Sequence, residues 1–267
     1  MRLIGFIMTK RVLLTIALTL ASCAGMPAQG KSGLRPLPQA RTTQEYNDYN
    51  AARAAIGGAA LEAAADNFSA RYPESELCVY LYSHALHVYQ NEGNAPRILA
   101  TGGRVLALDP DNSIALALTA MARADSITDN DPDRDQKVAQ IRHDCARALK
   151  TMDSSLVLVP GVTPEEIVAY KGSLGSMVHS ALGIMELKTG NDSGAEKDLK
   201  TALSLNRLGG DPSIYYHLAL AQDHQKKYSD ALASVEQAMQ LASSNPDLQQ
   251  LAEKEHDHLQ KLARREP

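Results

Sequence analysis

The fold class predicted for this chain is all-α: an α-solenoid of antiparallel helix pairs. Three observations predict it. Near the C-terminus Leu182-Gly183, Ala195, Leu199, Ala202 and Leu205 recur as Leu218-Ala219, Ala231, Val235, Ala238 and Leu241, every pair 36 residues apart. A fixed period of this size marks a stack in which each unit buries its apolar face against its neighbours. The composition agrees: Trp is absent, Phe occurs 2 times in 267 residues, and Ala, the best helix former, is abundant. No run of the body has the strict apolar–polar alternation of a half-buried strand.

Each element then follows from its start and stop signals. Thr42 or Thr43 caps a first helix that runs to about residue 56, where Gly57-Gly58 breaks it. A second helix spans 59–71 and ends at Tyr72-Pro73. Ser75 caps a third, with Leu77, Leu81, Ala85, Leu86 and Tyr89 on one face, and Gly93-Asn94 turns the chain into a fourth at 95–108. Gly102-Gly103 inside that helix weakens it, each Gly by ~1 kcal/mol against Ala. Asp109-Pro110 stops it, because Pro lacks the amide donor and pushes its predecessor out of the α region.

A fifth helix at 113–126, a polar loop at 129–133 and a sixth helix from 134 to about 152 come next. The irregular insert 154–163, containing Leu156-Val157-Leu158-Val159-Pro160-Gly161, interrupts the array. Thr163-Pro164-Glu165-Glu166 starts the seventh helix: Thr caps, Pro takes the first helical position, and the acids favour the positive end of the helix dipole. Ile167, Tyr170, Leu174, Met177, Val178, Ala181, Leu182 and Met185 keep helical spacing for five turns. The eighth helix is read at 193–206, the ninth from Asp211-Pro212 to about 226, the tenth at 229–242, and an eleventh after Asn245-Pro246 to about 264. The last is polar on its outside, as a terminal cap requires.

The N-terminus carries a different message. Met1 to Arg11 holds Arg2, Lys10 and Arg11 and no acid, and the apolar run 12–20 ends in Ala21-Ser22-Cys23. Met8 is an alternative start with its own basic leader. This reads as a secretory signal, residues 1–22, too short to span a bilayer. Leu20-Ala21-Ser22-Cys23 resembles the lipobox of bacterial lipoproteins. The resemblance implies cleavage before Cys23, acylation of its thiol (palmitate among the acyl groups) and of its new amino group, and firm anchoring without a spanning helix. Ala24 follows where an Asp would retain the protein at the inner membrane, so the resemblance implies the periplasmic face of the outer membrane. Residues 24–42, rich in Gly, Pro, Gln, Lys and Ser, read as a flexible tether. At ~5–6 Å × √n, about 19 such residues place the body roughly 25 Å from the anchor.

Removing the signal leaves 24 basic residues against 31 acidic ones, a net charge of −7. That argues against a nucleic-acid binder and against a domain drawn to anionic lipid. With Cys23 assigned to the lipid, Cys78 and Cys145 read as two buried thiols rather than a bridge. Asp129-x-Asp131-x-Asp133 has calcium-loop spacing, but Arg134 stands where the turn needs Gly and Gln140 where a bidentate Glu is needed. His84 and His87 lie one helical turn apart without an evident third ligand, and Glu255-His256-Asp257-His258 reads as a polar terminal helix. No metal, no cofactor and no catalytic residues are expected, and none of the familiar hydrolase, metalloprotease or phosphate-loop motifs appears.

Residues 177–245 resemble two tandem tetratricopeptide repeats. The second unit supplies Tyr215, Leu218-Ala219, Tyr228, Ala231, Val235, Ala238 and Pro246; the first supplies His179, Leu182-Gly183, Gly190, Ala195, Leu199, Ala202 and Pro212. The prolines fall late, lengthening the turns between units. The stretch Ala64, Phe68, Tyr72-Pro73 resembles the close of a repeat in periplasmic members, and 59–125 resembles the family more loosely. The resemblance implies a right-handed superhelix divided into degenerate pairs at 43–153, the insert at 154–163, two repeats at 164–245 and a capping helix at 246–267. It also implies a groove lined by the first helix of each pair, here Met177, Ser180, Ile184, Leu187 and Lys188, then Ser213, Tyr216, Leu220, Asp223 and His224. The basic and amide set that clamps a partner's C-terminal carboxylate is missing from these positions. The expectation is a membrane-anchored, non-catalytic interaction scaffold of the bacterial cell envelope, with other envelope proteins or peptides as partners. An accessory subunit of an envelope machine, for outer-membrane protein assembly, secretion or cell-wall synthesis, is the alternative. A ligand-binding or enzymatic envelope protein is the alternative of another class.

Overall fold

A computed structural model describes residues 37–156, 161–206 and 210–263. The expected signal, Cys23, the expected tether up to residue 36 and residues 157–160 of the insert lie outside the described residues. Within them the chain forms eleven α-helices, one 3-10 turn and no strand. In order they are α1 (Thr43–Arg53), α2 (Gly58–Arg71), α3 (Leu77–Asn91), α4 (Ala95–Leu108), α5 (Ser113–Ser126), α6 (Arg134–Ser155), α7 (Pro164–Lys188), α8 (Asp192–Leu205), α9 (Pro212–His224), α10 (Tyr228–Leu241) and α11 (Pro246–Ala263), with the 3-10 turn Ala242–Ser244 before α11.

Short polar side chains set the starts. Thr42 Oγ1 accepts from the Glu45 amide at 3.0 Å, Asn94 Oδ1 from Arg97 at 3.3 Å, Asn112 Oδ1 from Ala115 at 3.0 Å and Asn191 Oδ1 from Gly194 at 3.3 Å. Thr163 and Glu166 form a reciprocal capping box at 3.2 and 2.9 Å, with Pro164 in the first turn. Asp211 and Asn245 cap α9 and α11 in the same way.

Boundaries shift where tertiary packing intervenes. The first helix ends at Arg53, short of residue 56, because Gly57 at φ +90° reverses the chain and leaves Ile56 93% exposed. The third begins at Leu77 with Glu76 in the cap position, while Ser75 Oγ accepts from the Leu77 amide at 3.2 Å. The sixth runs on to Ser155, whose hydroxyl meets Ser113 Oγ at 2.5 Å.

Each helix packs on the next, and short turns make successive helices antiparallel. The odd helices also touch one another in series, α1 to α3, α3 to α5, α5 to α7, α7 to α9 and α9 to α11, whereas among the described residues no pair of even helices makes a comparable contact. The stack is therefore a two-layer solenoid, and closer spacing in the odd layer curves it toward that layer. Four apolar clusters run along it: one centred on Leu61, Leu81, Leu86 and Ile98, one on Leu116, Ile141, Val178 and Met185, one on Leu199, Ile214 and Leu218, and one on Val235, Ala252 and Leu259.

Close approaches explain two glycines. A Cβ on Gly183 would stand 2.6 Å from Leu199 Cγ and 3.2 Å from the Ala195 carbonyl, so α7 and α8 meet at the Gly–Ala contact that the repeat pattern implies. Gly102, expected to weaken α4, is where α4 meets α5: a Cβ there would lie 2.3 Å from Thr119 Cγ2. Cys78 and Cys145 are buried and free, in separate clusters, and burial pushes the Cys145 thiol up to about 12. They behave as small apolar residues.

Candidate functional site

The odd layer positions the site. Of the groove residues expected on α7, Ile184 is 4% exposed and belongs to the second cluster, and Leu187 belongs to the third beside Leu199 and Ile214. Neither lines an open surface. The reason is geometric: α7 is clasped by α5, α6, α8 and α9, so positions that face outward in a simple pair face a neighbour here. Ser180 is also buried and donates to the Ser176 carbonyl at 2.8 Å. Met177 is half-buried where the first two clusters meet.

On α9, Tyr216 and Leu220 are half-buried. Tyr216 packs on the fourth cluster and edge-on against the His217 ring at 5.5 Å; Leu220 packs on the third. Asp223 faces His258 Nε2 of α11 at 3.4 Å, and His224 Nδ1 meets Asp192 Oδ1 of α8 at 2.8 Å. These two are thus engaged in contacts between helices.

Three polar groups from consecutive odd helices meet beside this set. Lys188, at the end of α7, donates through Nζ to the carbonyls of Asp125 and Ile127 at the end of α5. Burial lowers its pKa, and Asp125 partly restores it. Burial pushes the Asp125 carboxyl up to about 6, against the pull of Lys188. On α9 the His217 ring donates from Nδ1 to the Ser213 carbonyl at 2.8 Å, which leaves Nε2 as the acceptor of the neutral ring. Burial, with Lys188 adding to it, lowers His217 to about 4, so the ring is neutral near pH 7. A neutral acceptor, a carboxyl poised between its two forms and an ammonium with one donor to spare can receive hydrogen bonds of either sense from an incoming chain. Tyr216 and Leu220, on the same helix as His217, supply apolar contact nearby. This is the mixed chemistry of a peptide-binding groove.

Asp125 and His217 were not singled out by the sequence. The local signal for His217 is Ser213 one turn before it; Asp125 looks like any acid in a last turn until Lys188 arrives from 63 residues away.

The metal-like patterns resolve otherwise. Asp131 accepts from the Asp133 amide at 3.1 Å and pairs with Lys137, so the acidic loop ties itself to the start of α6. Among the described residues no three His, Cys, Asp or Glu side chains converge on a metal position. No described helix is long and apolar enough to cross a membrane.

No protein-family model matches the chain, and no curated protein matches it at a significant level. Among solved structures it is similar to TTC0263, a thermophilic TPR protein of Thermus thermophilus, at 17% identity and a TM-score of 0.48, over 79% of this chain and 98% of that one. The helix pairing and the two-layer stack carry the fold without that likeness.

Proposed function

We propose that the protein is a non-catalytic scaffold of the bacterial cell envelope, held at the periplasmic face of the outer membrane through acylated Cys23, and that it binds segments of other envelope proteins on its odd-helix face. The anchor rests on the lipobox-like residues 20–23 and the tether behind them. The binding role rests on one observation: Lys188 at the end of α7 lies within electrostatic reach of Asp125 on α5 and His217 on α9, all three partly desolvated, beside half-buried Tyr216 and Leu220 of α9. A face built only for stability would match or remove such groups. Anchored recognition modules need a spacer, and the tether supplies one.

The test is site-specific photo-crosslinking in intact cells of the full-length protein. A crosslinker at Leu220 on the odd-helix face should capture envelope proteins, and one at exposed Lys200 on α8 should not. Equal capture from both positions, or none from either, would sink the groove assignment. Cys23→Ser should release the protein from the membrane fraction; unchanged membrane retention would sink the anchor. Stoichiometric capture of one β-barrel or wall-synthesis enzyme would narrow the role to that of an accessory subunit.

A further inference from the structure

The odd-helix face opens with three basic side chains on two packed helices. Arg53 stands in the last turn of α1, and His84 and His87 lie one turn apart on α3. Arg53 Nη1 and His84 Nδ1 are both buried and have no hydrogen-bond partner among the described residues. A buried guanidinium nitrogen or imidazole nitrogen left unmatched is costly, and neighbouring unmatched nitrogens on basic groups call for an anion. His84 Nδ1 can turn toward a ligand without breaking a hydrogen bond, while the Arg53 guanidinium also touches the Tyr49 hydroxyl.

We propose that Arg53, His84 and His87 form a subsite for an acidic side chain, Glu or Asp, of a peptide lying along the odd-helix face.

Charge and shape select the ligand. Burial lowers the pKa of both rings, with Arg53 adding to the effect on His84 and His84 to that on His87, while Gln90 opposes it at His87. Near pH 7 the cluster therefore carries a single positive charge, on Arg53. One charge matches a monoanion, and the planar guanidinium fork matches a carboxylate. The unmatched nitrogens are buried, so a carboxylate carried on a stem, as in a Glu or Asp side chain, is suited to reach them. The remaining neighbours are uncharged near pH 7: Tyr49, which lies against the Arg53 guanidinium, and Gln90 beside His87. Binding should therefore draw a proton onto a histidine ring, and acidification should strengthen it.

This subsite takes its peptide from the groove reading, but its test needs no natural partner. The mature full-length protein is titrated with acetyl-Ala-Glu-Ala-amide and its Gln twin while the ring resonances of His84 and His87 are followed. The Glu peptide should shift both rings and bind several-fold more tightly at pH 6 than at pH 8. Arg53→Gln should weaken it about tenfold, the worth of one charge-assisted hydrogen bond. His87→Gln, on the same stripe, should remove most of the pH dependence and serves if Arg53→Gln disturbs folding. Equal binding of the Gln twin, insensitivity to both variants, or tighter binding of inorganic phosphate or of phosphatidylglycerol vesicles would overturn the assignment. Silence of both rings together with productive crosslinking at Leu220 would overturn this subsite alone and leave the groove standing.

Discussion

The seams between helix layers and the odd-helix face treat buried charge in opposite ways. At the seams three buried carboxylates, Glu62, Asp144 and Glu196, sit on even helices and are surrounded. Glu62 of α2 accepts from Tyr89 at 2.7 Å and Thr101 at 3.2 Å and faces Arg97 and Arg104 at 3.3 and 3.5 Å. Asp144 of α6 accepts from Arg123 at 2.6 Å and Gln140 at 2.8 Å. Burial works against the charge of Glu196 on α8, yet hydrogen bonds from Lys200, Lys227 and Gln225 outweigh it and hold its carboxyl at about 2. On the odd-helix face the balance reverses: burial wins at His84, His87, Asp125 and His217. A satisfied buried carboxylate fixes how one pair docks on the next, because any slip would strand it. An unsatisfied one costs stability and is recovered when a ligand completes it. The seams hold the stack together, and the odd-helix face keeps charged groups that burial disfavours.

The comparison can be broken at three places. The largest effect is expected at the first seam. Glu62→Ala removes the acceptor of the buried Tyr89 and Thr101 hydroxyls and should cost about 3 kcal/mol in urea unfolding. A cost below about 1 kcal/mol would mean that the seam does not depend on its carboxylate. A smaller effect of opposite sign is expected on the odd-helix face. The raised Asp125 carboxyl favours folding while protonated and opposes it once pH rises through about 6. Asp125→Asn should therefore stabilise the protein by about 1 kcal/mol at pH 8, with the gain gone near pH 4. Destabilisation at pH 8 would place Asp125 among the seam residues. The smallest effect concerns His217. Its folded value lies below the unfolded one, so its contribution is present above roughly pH 6.5 and is lost as pH falls toward about 4. Melting temperatures of wild type and His217→Gln should converge across that window; parallel curves would mean that the ring is free to protonate in place.

Much of this was legible in the chain. The helix starts at Asn94, Thr163, Asn191 and Asp211 are local chemistry, a short polar side chain reaching an amide two or three residues ahead, and local chemistry is written locally. The Gly183 contact followed from the 36-residue register. The groove was harder. Met177, Tyr216 and Leu220 remain half-buried, but Ile184 and Leu187 went to the core, because helical periodicity cannot tell a face covered by the next repeat from one left open. Asp125, His217 and the pairing of Arg53 with His84 and His87, which the sequence offered only as a metal pair short of a ligand, escaped notice for a related reason. Their character comes from burial and from partners on other helices, and neither is a property of the residue's own stretch of chain.

The sequence by itself determined the element type, the order of the helices, most of their ends and the repeat register, since each depends on propensity, caps and periodicity within one or two turns. It also carries the signal-like and lipobox-like leader, whose pattern lies in residue order alone. Only the tertiary structure decided which apolar stripe became core, why Gly102 is needed, and which charges are matched and which are left wanting. Those outcomes depend on burial and on the approach of helices tens of residues apart, where desolvation and hydrogen bonding settle what a side chain can do.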